Sequence, residues 1–565
     1  MSAASSGRTS PPARGYATLA LSHGDFYTGN PTYPRAQFLA ITGETIATVT
    51  NSESDWKLWI GPQTRIIDLH GQFAMPGFND AHVHLASAGY SKLEINLEGV
   101  TSFVELQHRI LERLKDFRPG EWITGRGWDH TLWPVKKFPT RQELDAVSTD
   151  HPMFFYRVDG HVAIANSRAL EIAGIGRSTP DPSSGQILRD PRSGEPTGLL
   201  EEDSAMNLVS SCIPAPSAGQ RRKALALAIE EASRFGVTSV QDNSVQSTTF
   251  TDAFGWDNFL AYEQLKQEGK LRIRITEWLP FGAPLAWLKD MRRSGGGSSA
   301  ADPGDPWLKT GALKAFLDGS LGSRTAALLD PYSDDATTSG ILRVEPVKLT
   351  AMAIERDRAG FQIAFHAIGD RANRVALDTF AAVLAAEGKR DRRDRVEHAQ
   401  VVAPEDLTRF GELRLVASMQ PSHLLDDQRW AEERVGAQRL RGAYAWRSVL
   451  QAGAPLAFGT DYPVESVDPL RGIYACLTRE LPSGGPEGGW QPQERLTMEE
   501  CIKAYTVGSA YAQFEEGRKG RLVPGMLADI IVFPVDITKI PPYDLLSTRV
   551  AMTIVGGQII FDRRN

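Results

Sequence analysis

Apolar and polar positions change rhythm twice along this chain. From 16 to 49, short apolar runs are broken by turn residues at Gly24, Gly29-Asn30 and Gly43, which predicts brief β segments. The far end repeats that rhythm. Residues 528–533 (ADIIVF) read as a strand, and 550–555 and 558–561 are β-rich runs separated by Gly556-Gly557, a two-residue hairpin signal. These two ends predict one small β-sandwich domain, built from 16–75 together with 515–565.

The middle, 76–514, alternates strand-like apolar runs with helical stretches. Eight strands are predicted, at 76–85, 236–242, 271–278, 313–318, 361–369, 395–400, 415–421 and 455–461. A helical pattern covers 221–235 and ends at Gly236. Another is capped by Asp370 and runs to Leu384, and Thr497 with Glu500 forms a capping-box pattern before a last helix ending near Phe514. Eight alternating units predict an α/β fold of the (β/α)₈ TIM-like barrel class, in preference to an open doubly wound sheet. A long excursion, about 86–220, leaves the first strand and contains a strand-like run at 153–158. Such an insertion at a barrel mouth is expected to shape substrate access. Residues 294–306 read as a flexible surface loop.

Composition adds limits. The chain has 565 residues, 41% hydrophobic and 23% charged, with a formal net charge of −7. That balance does not suit nucleic acid as a partner. No apolar run reaches bilayer length, so no membrane partner is expected. Residues 1–15 are rich in Ser, Ala, Pro and Gly without an apolar signal core, and read as a disordered tail. The three cysteines, Cys212, Cys476 and Cys501, are far apart and suggest no disulfide framework. They are expected as buried thiols in a reducing, cytoplasmic compartment. A homodimer is the default assembly.

The chemistry gathers at the predicted strand ends. In PGFNDAHVHL, His82 and His84 stand two residues apart, so on a strand both imidazoles face one side and can share a metal. Lys314 lies inside the apolar fourth strand. A lysine there is costly unless paired with a carboxylate such as Asp318 or Asp461, or converted by carbon dioxide to an anionic carbamate. His366 ends the fifth strand, His398 lies in the sixth and Asp461 ends the eighth. A single strand-end histidine is more often a satisfied core residue than a ligand. Convergence of all six at one end of a barrel points instead to metal.

These residues resemble the amidohydrolase superfamily of metal-dependent hydrolases, in particular amidohydrolase family 3, the YtcJ-like branch that includes N-substituted formamide deformylases. The matching segments are PGFNDAHVHL, GRGWDHTLWP with PTRQELD, RVDGHVAIANSRAL, GVTSVQD, LKAFLDGSLGSRTAALLDPY, FHAIGDRAN, RVEHAQ, GTDYPV and KGRLVPGMLADIIVF. The resemblance implies one or two divalent metals per chain, commonly zinc. His82 and His84 would hold one ion, His366 and His398 the second, with carboxylated Lys314 bridging them. Asp461 would contact metal and act as the catalytic general base.

The implied reaction is hydrolysis of a C–N bond in an amide, N-acyl or N-formyl small molecule. The same ligands could serve a decarboxylase, hydratase or isomerase, and the scaffold could also carry a silent binding protein. The resemblance suggests that His161, in the insertion, faces substrate, the alternative being a structural histidine bonded to a loop carbonyl. Arg324 could hold a substrate carboxylate or carbonyl, or tether its loop through a salt bridge. Trp128 and Asp129 are candidates for the pocket wall, a core role suiting Trp128 equally well. His130, after Asp129, and His423, after the seventh strand, could bind substrate, but isolated histidines default to structural roles.

Overall fold

Gly77 marks where the chain passes from one sheet to another. A Cβ at that position would come within 2.2 Å of the Thr238 side chain, so only glycine fits. Before it, Phe73–Pro76 belongs to a terminal sheet; after it, Phe78–Val83 (β1) begins the barrel. The first barrel strand is thus shorter than the apolar run suggested, because Pro76 pairs with Ile530 instead of a barrel neighbour.

The computed structural model describes residues 15–158, 161–182, 185–245, 254–297 and 304–564. Nearly all of the predicted N-terminal tail, and residues 298–303 of the predicted surface loop, lie outside the described residues. The chain divides into two units, Met1–Leu85 with Ala228–Asn565, and Ala86–Leu227.

The larger unit holds the barrel. Its strands after β1 are Val237–Asp242 (β2), Arg274–Pro280 (β3), Leu308–Phe316 (β4), Ile363–Ala367 (β5), Arg395–His398 (β6), Val416–Met419 (β7) and Leu456–Phe458 (β8). They pair in parallel in chain order. The ring closes just past β8, where Asp461 N–H donates to the His82 carbonyl and His84 N–H to the Tyr462 carbonyl, each at 2.8 Å. Strands buried on both faces are rich in apolar residues, which marks them in the sequence even where buried polar groups such as Arg395 and Glu397 interrupt the run.

Both chain ends form the remaining sheets of this unit. Ile530–Phe533 runs antiparallel to Phe73–Pro76, and Met552–Val555 and Gln558–Asp562 extend that sheet as the Gly556-Gly557 hairpin. A second sheet joins Leu19–Ser22, Phe38–Thr42, Thr45–Thr50 and Arg65–Asp68. One apolar core lies between them, drawing Leu21, Leu39 and Ile41 from one end and Ile530, Val532 and Ile554 from the other.

Among the helices, Asp370–Glu387 (α1) follows β5. Its N-cap is Gly369, not Asp370, whose carboxylate instead accepts the Leu329 N–H at 2.8 Å. Pro421–Asp427 (α2) follows β7, and Trp446–Gln451 (α3) precedes β8. Pro469–Thr478 (α4) and Met498–Lys503 (α5) come after it, and Thr497 and Glu500 form the expected capping box of α5.

Cysteine pairing departs from expectation. Cys476 on α4 and Cys501 on α5 form a disulfide, with Cα atoms 6.2 Å apart, and Cys212 is half-buried. Packing of the two helices brings the sulfurs together, and a spacing of 25 residues carries no signal of that.

The smaller unit is a six-stranded mixed sheet ordered Gln186–Arg189, Pro196–Glu201, Val162–Ala165, Met153–Arg157, Ile123–Trp128 and Ile95–Asn96. Leu106, Ile110, Trp128, Trp133 and Phe155 pack in one of its cores. No helix among the described residues is long and apolar enough to cross a membrane.

Candidate metal centre

Barrel strands place successive side chains on alternate faces, so Asp80 and His82 of β1 share the inward face. His82 is fully buried, and its Nδ1 lies 2.7 Å from Glu397 Oε2 on β6. That contact requires the proton on Nδ1 and leaves Nε2 as a bare lone pair. Glu397 is itself fixed by Arg395, two residues earlier on the same strand, at 2.8 Å. Arg395 also donates to the Ala81 carbonyl at 2.9 Å, to Ser418 at 2.7 Å and to Gln241, and lies over the Trp278 ring. A buried guanidinium with this many acceptors braces the floor under the histidines.

The acceptors converge above that floor. Asp461 Oδ1 lies 3.2 Å from His84 Nε2 and 3.5 Å from His82 Nε2, yet it is buried and meets no donor in hydrogen-bonding geometry. For His82 the facing nitrogen is a lone pair, so two acceptors confront each other. Such an arrangement is unfavourable unless a cation lies among them. Donor atoms of His82, His84 and Asp461 all fall within 4.8 Å of one another, as do those of His398, His423 and Asp461. His366 stacks edge-on against His398 with centroids 4.5 Å apart. Its Nε2 is 3.3 Å from the Gly319 carbonyl, while its buried Nδ1 has no hydrogen-bond partner. Lys314 Nζ is 3.3 Å from His82 Nε2.

Charge states suit ligation. Burial, with the Lys314 charge, pushes His82 down to about 4, and burial with His366 nearby holds His398 well below its usual value. Both rings are therefore neutral at pH 7. Burial alone would raise Asp461, but interaction with the neighbouring His82 and hydrogen bonding from His423 hold it well below the usual carboxylate range. Burial would likewise raise Glu397, but Arg395 and His82 bring it to about 2. Burial lowers Lys314 to about 8. Neutral imidazoles and an ionised carboxylate are the forms that bind metal.

Backbone strain marks the same place. His398, Ala399 and Asp461 have φ of 70°, 42° and 60°, left-handed conformations that cost non-glycine residues about 1–3 kcal/mol each. Asp80 secures the seam beside Asp461: its carboxylate accepts from Thr460 Oγ1 at 2.6 Å, Thr460 N–H at 2.9 Å and His82 N–H at 3.1 Å.

The structure thus draws His82, His84, Lys314, His366, His398 and Asp461 to one end of the barrel. Arg324 is elsewhere engaged, its guanidinium bonded to Asp334 at 2.8 and 3.2 Å. Trp128, Asp129, His130 and His161 belong to the smaller unit. There Trp128 is fully buried and its indole N–H donates to the Phe155 carbonyl at 2.9 Å. Asp129 accepts from Arg157 at 2.9 Å, His130 packs on Phe138, and His161 Nδ1 is 3.1 Å from Glu202.

Neither Arg395 nor Glu397 stands out among the sequence candidates, and His423 takes a structural role there by default. The cost argument applied to Lys314 would have found the first two, since alternating charges inside an apolar strand need partners. His423 carried only a weaker signal, its place just beyond a barrel strand.

The family model described as "Amidohydrolase family" matches residues 65–561. The chain is 37% identical to the Arabidopsis thaliana protein LONG AFTER FAR-RED 3, over 98% of this chain and 93% of that one. It is 26% identical to the N-substituted formamide deformylase of Arthrobacter pascens, over 94% and 95% of the two chains. Among solved structures, an uncharacterized metal-dependent hydrolase from Pyrococcus furiosus superimposes with a TM-score of 0.75 at 30% identity, covering 92% of this chain and all of that one.

Proposed function

The chain belongs to the amidohydrolase family of metal-dependent hydrolases, and from that membership we propose that it cleaves a C–N bond in an amide, N-acyl or N-formyl small molecule. The observation that carries the reading is the buried, donorless Oδ1 of Asp461 facing the Nε2 atoms of His82 and His84. Likeness to a formamide deformylase supports the choice of bond.

His82, His84, His366, His398 and Asp461 would hold the ion or ions. Nitrogen donors with one carboxylate suit zinc. A bound divalent ion supplies Lewis acidity, bringing the pKa of a water towards neutrality and polarising a carbonyl. Asp461 accepts the proton of the attacking water at a carboxylate oxygen and returns it to the leaving nitrogen. Glu397 keeps His82 in the tautomer that presents Nε2. Neutral Lys314 adds through its Nζ lone pair to carbon dioxide and releases a proton, giving a carbamate whose oxygens can join the ligand set.

Two measurements test this. Protein stripped with chelator should lose release of free amine from N-formyl and N-acyl substrates, and regain it with Zn²⁺ only when bicarbonate is supplied. Amine release that survives stripping would sink metal dependence, and recovery without bicarbonate would sink the carbamate. Asp461→Asn should lower kcat by about 10²–10⁴-fold; an unchanged kcat would remove Asp461 as the base.

A further inference from the structure

His423 plays no part in the ligand set expected of this barrel, yet it points into the centre. It is the third residue of α2, the helix that begins at Pro421 directly after β7. Its side chain is largely buried, and its Nε2 lies 3.2 Å from Asp461 Oδ2. The opposite oxygen of the same carboxylate, Oδ1, faces His82 and His84. Asp461 therefore has histidine nitrogens on both sides, one group to each oxygen. The His398 ring stands edge-on to His423, with centroids 6.0 Å apart. Donor atoms of His398, His423 and Asp461 fall within 4.8 Å of one another, a spacing that three ligands of one cation can satisfy. Asp427, one helical turn on, accepts from Gln400 at 2.8 Å and from Tyr444, and so anchors the helix that carries His423.

We infer that His423 is a metal ligand, completing with His398 and Asp461 a second cation position beside the one that His82, His84 and Asp461 outline. The inference rests on the metal-dependent reading above. A plain hydrogen bond from His423 to Asp461 is the competing explanation. Glutamine separates the two, since its side-chain amide keeps an N–H donor at the reach of Nε2 but removes the imidazole lone pair.

The test is zinc stoichiometry by elemental analysis, on wild-type protein and His423→Gln, each stripped and reloaded with Zn²⁺ in the presence of bicarbonate. The expected result is two equivalents in the wild type and one in the variant, with unchanged melting temperatures of the stripped proteins. Equal zinc content in the two proteins would overturn the assignment. A wild type that takes up no zinc would instead overturn the metal-dependent reading itself. Should the variant not fold, anomalous diffraction from zinc-loaded wild-type crystals decides. A peak about 2.0–2.1 Å from a His423 nitrogen is expected. A peak at His82 and His84 with none at His423 would overturn the inference.

Discussion

Glu397 touches no atom that would change in a reaction, yet the orientation of His82 depends on it. Its Oε2, 2.7 Å from Nδ1, decides which imidazole nitrogen carries the proton. Outer partners of this kind are worth about 10–100-fold in metal affinity. Glu397→Gln should therefore weaken Zn²⁺ binding by about that factor, measured by competition with a chromogenic chelator. Unchanged affinity would show that the Arg395–Glu397 pair only braces the barrel. At this scale the sequence was readable wherever a candidate residue stands at or near a strand end, as His82, His84, His366, His398 and Asp461 do. It was unreadable where a contact depends on packing. His423 and Asp461 are 38 residues apart and meet only because β7 and β8 are neighbours.

Elements follow the same division. All eight barrel strands were legible from apolar-rich segments alternating with helices, even where buried polar residues interrupt them, as in Arg395–His398. The capping box of α5 was legible because its chemistry is local. The Glu500 side chain closes that box on Thr497 and also pairs with Arg447 on α3 at 2.6 Å. Hydrogen bonding to Arg447, with the Thr497 contacts, lowers Glu500 from 4.5 to about 2. A depressed carboxyl stabilises the fold above its unfolded value and loses that contribution as pH falls through the folded one. The stability difference between wild type and Glu500→Gln should thus be full above about pH 5 and close as pH approaches 2. Thermal melts across that range check it, and a gap independent of pH would show that the carboxylate charge is irrelevant. The disulfide joining α4 to α5 was not legible, because it arises from helix packing and not from a motif.

In the larger unit, the terminal sheets are fastened to the barrel through Arg274 of β3. Its Nε and Nη2 meet Asp529 at 2.8 and 2.9 Å, and both residues are buried. Removing one partner of a buried pair leaves an uncompensated charge, at a cost of about 3–5 kcal/mol. Arg274→Met should lower stability by that order in denaturant titrations, and a change under about 1 kcal/mol would show that water relieves Asp529. The pairing of the two chain ends was foreseeable in outline from their shared β rhythm. The register, Ile530 opposite Pro76, was not, because short strands of similar composition can pair in several ways.

The seam that closes the barrel has a consequence for biosynthesis. Asp80 and Thr460 are bonded across 380 residues of chain. At about 5–20 residues per second, a ribosome needs roughly 20–75 seconds to travel from one to the other. Throughout that interval His82 and His84 have been made without Asp461, the aspartate that faces them. That cluster is therefore among the last features a nascent chain can acquire, and an ion that needs all three groups can be held only once the eighth strand has been made.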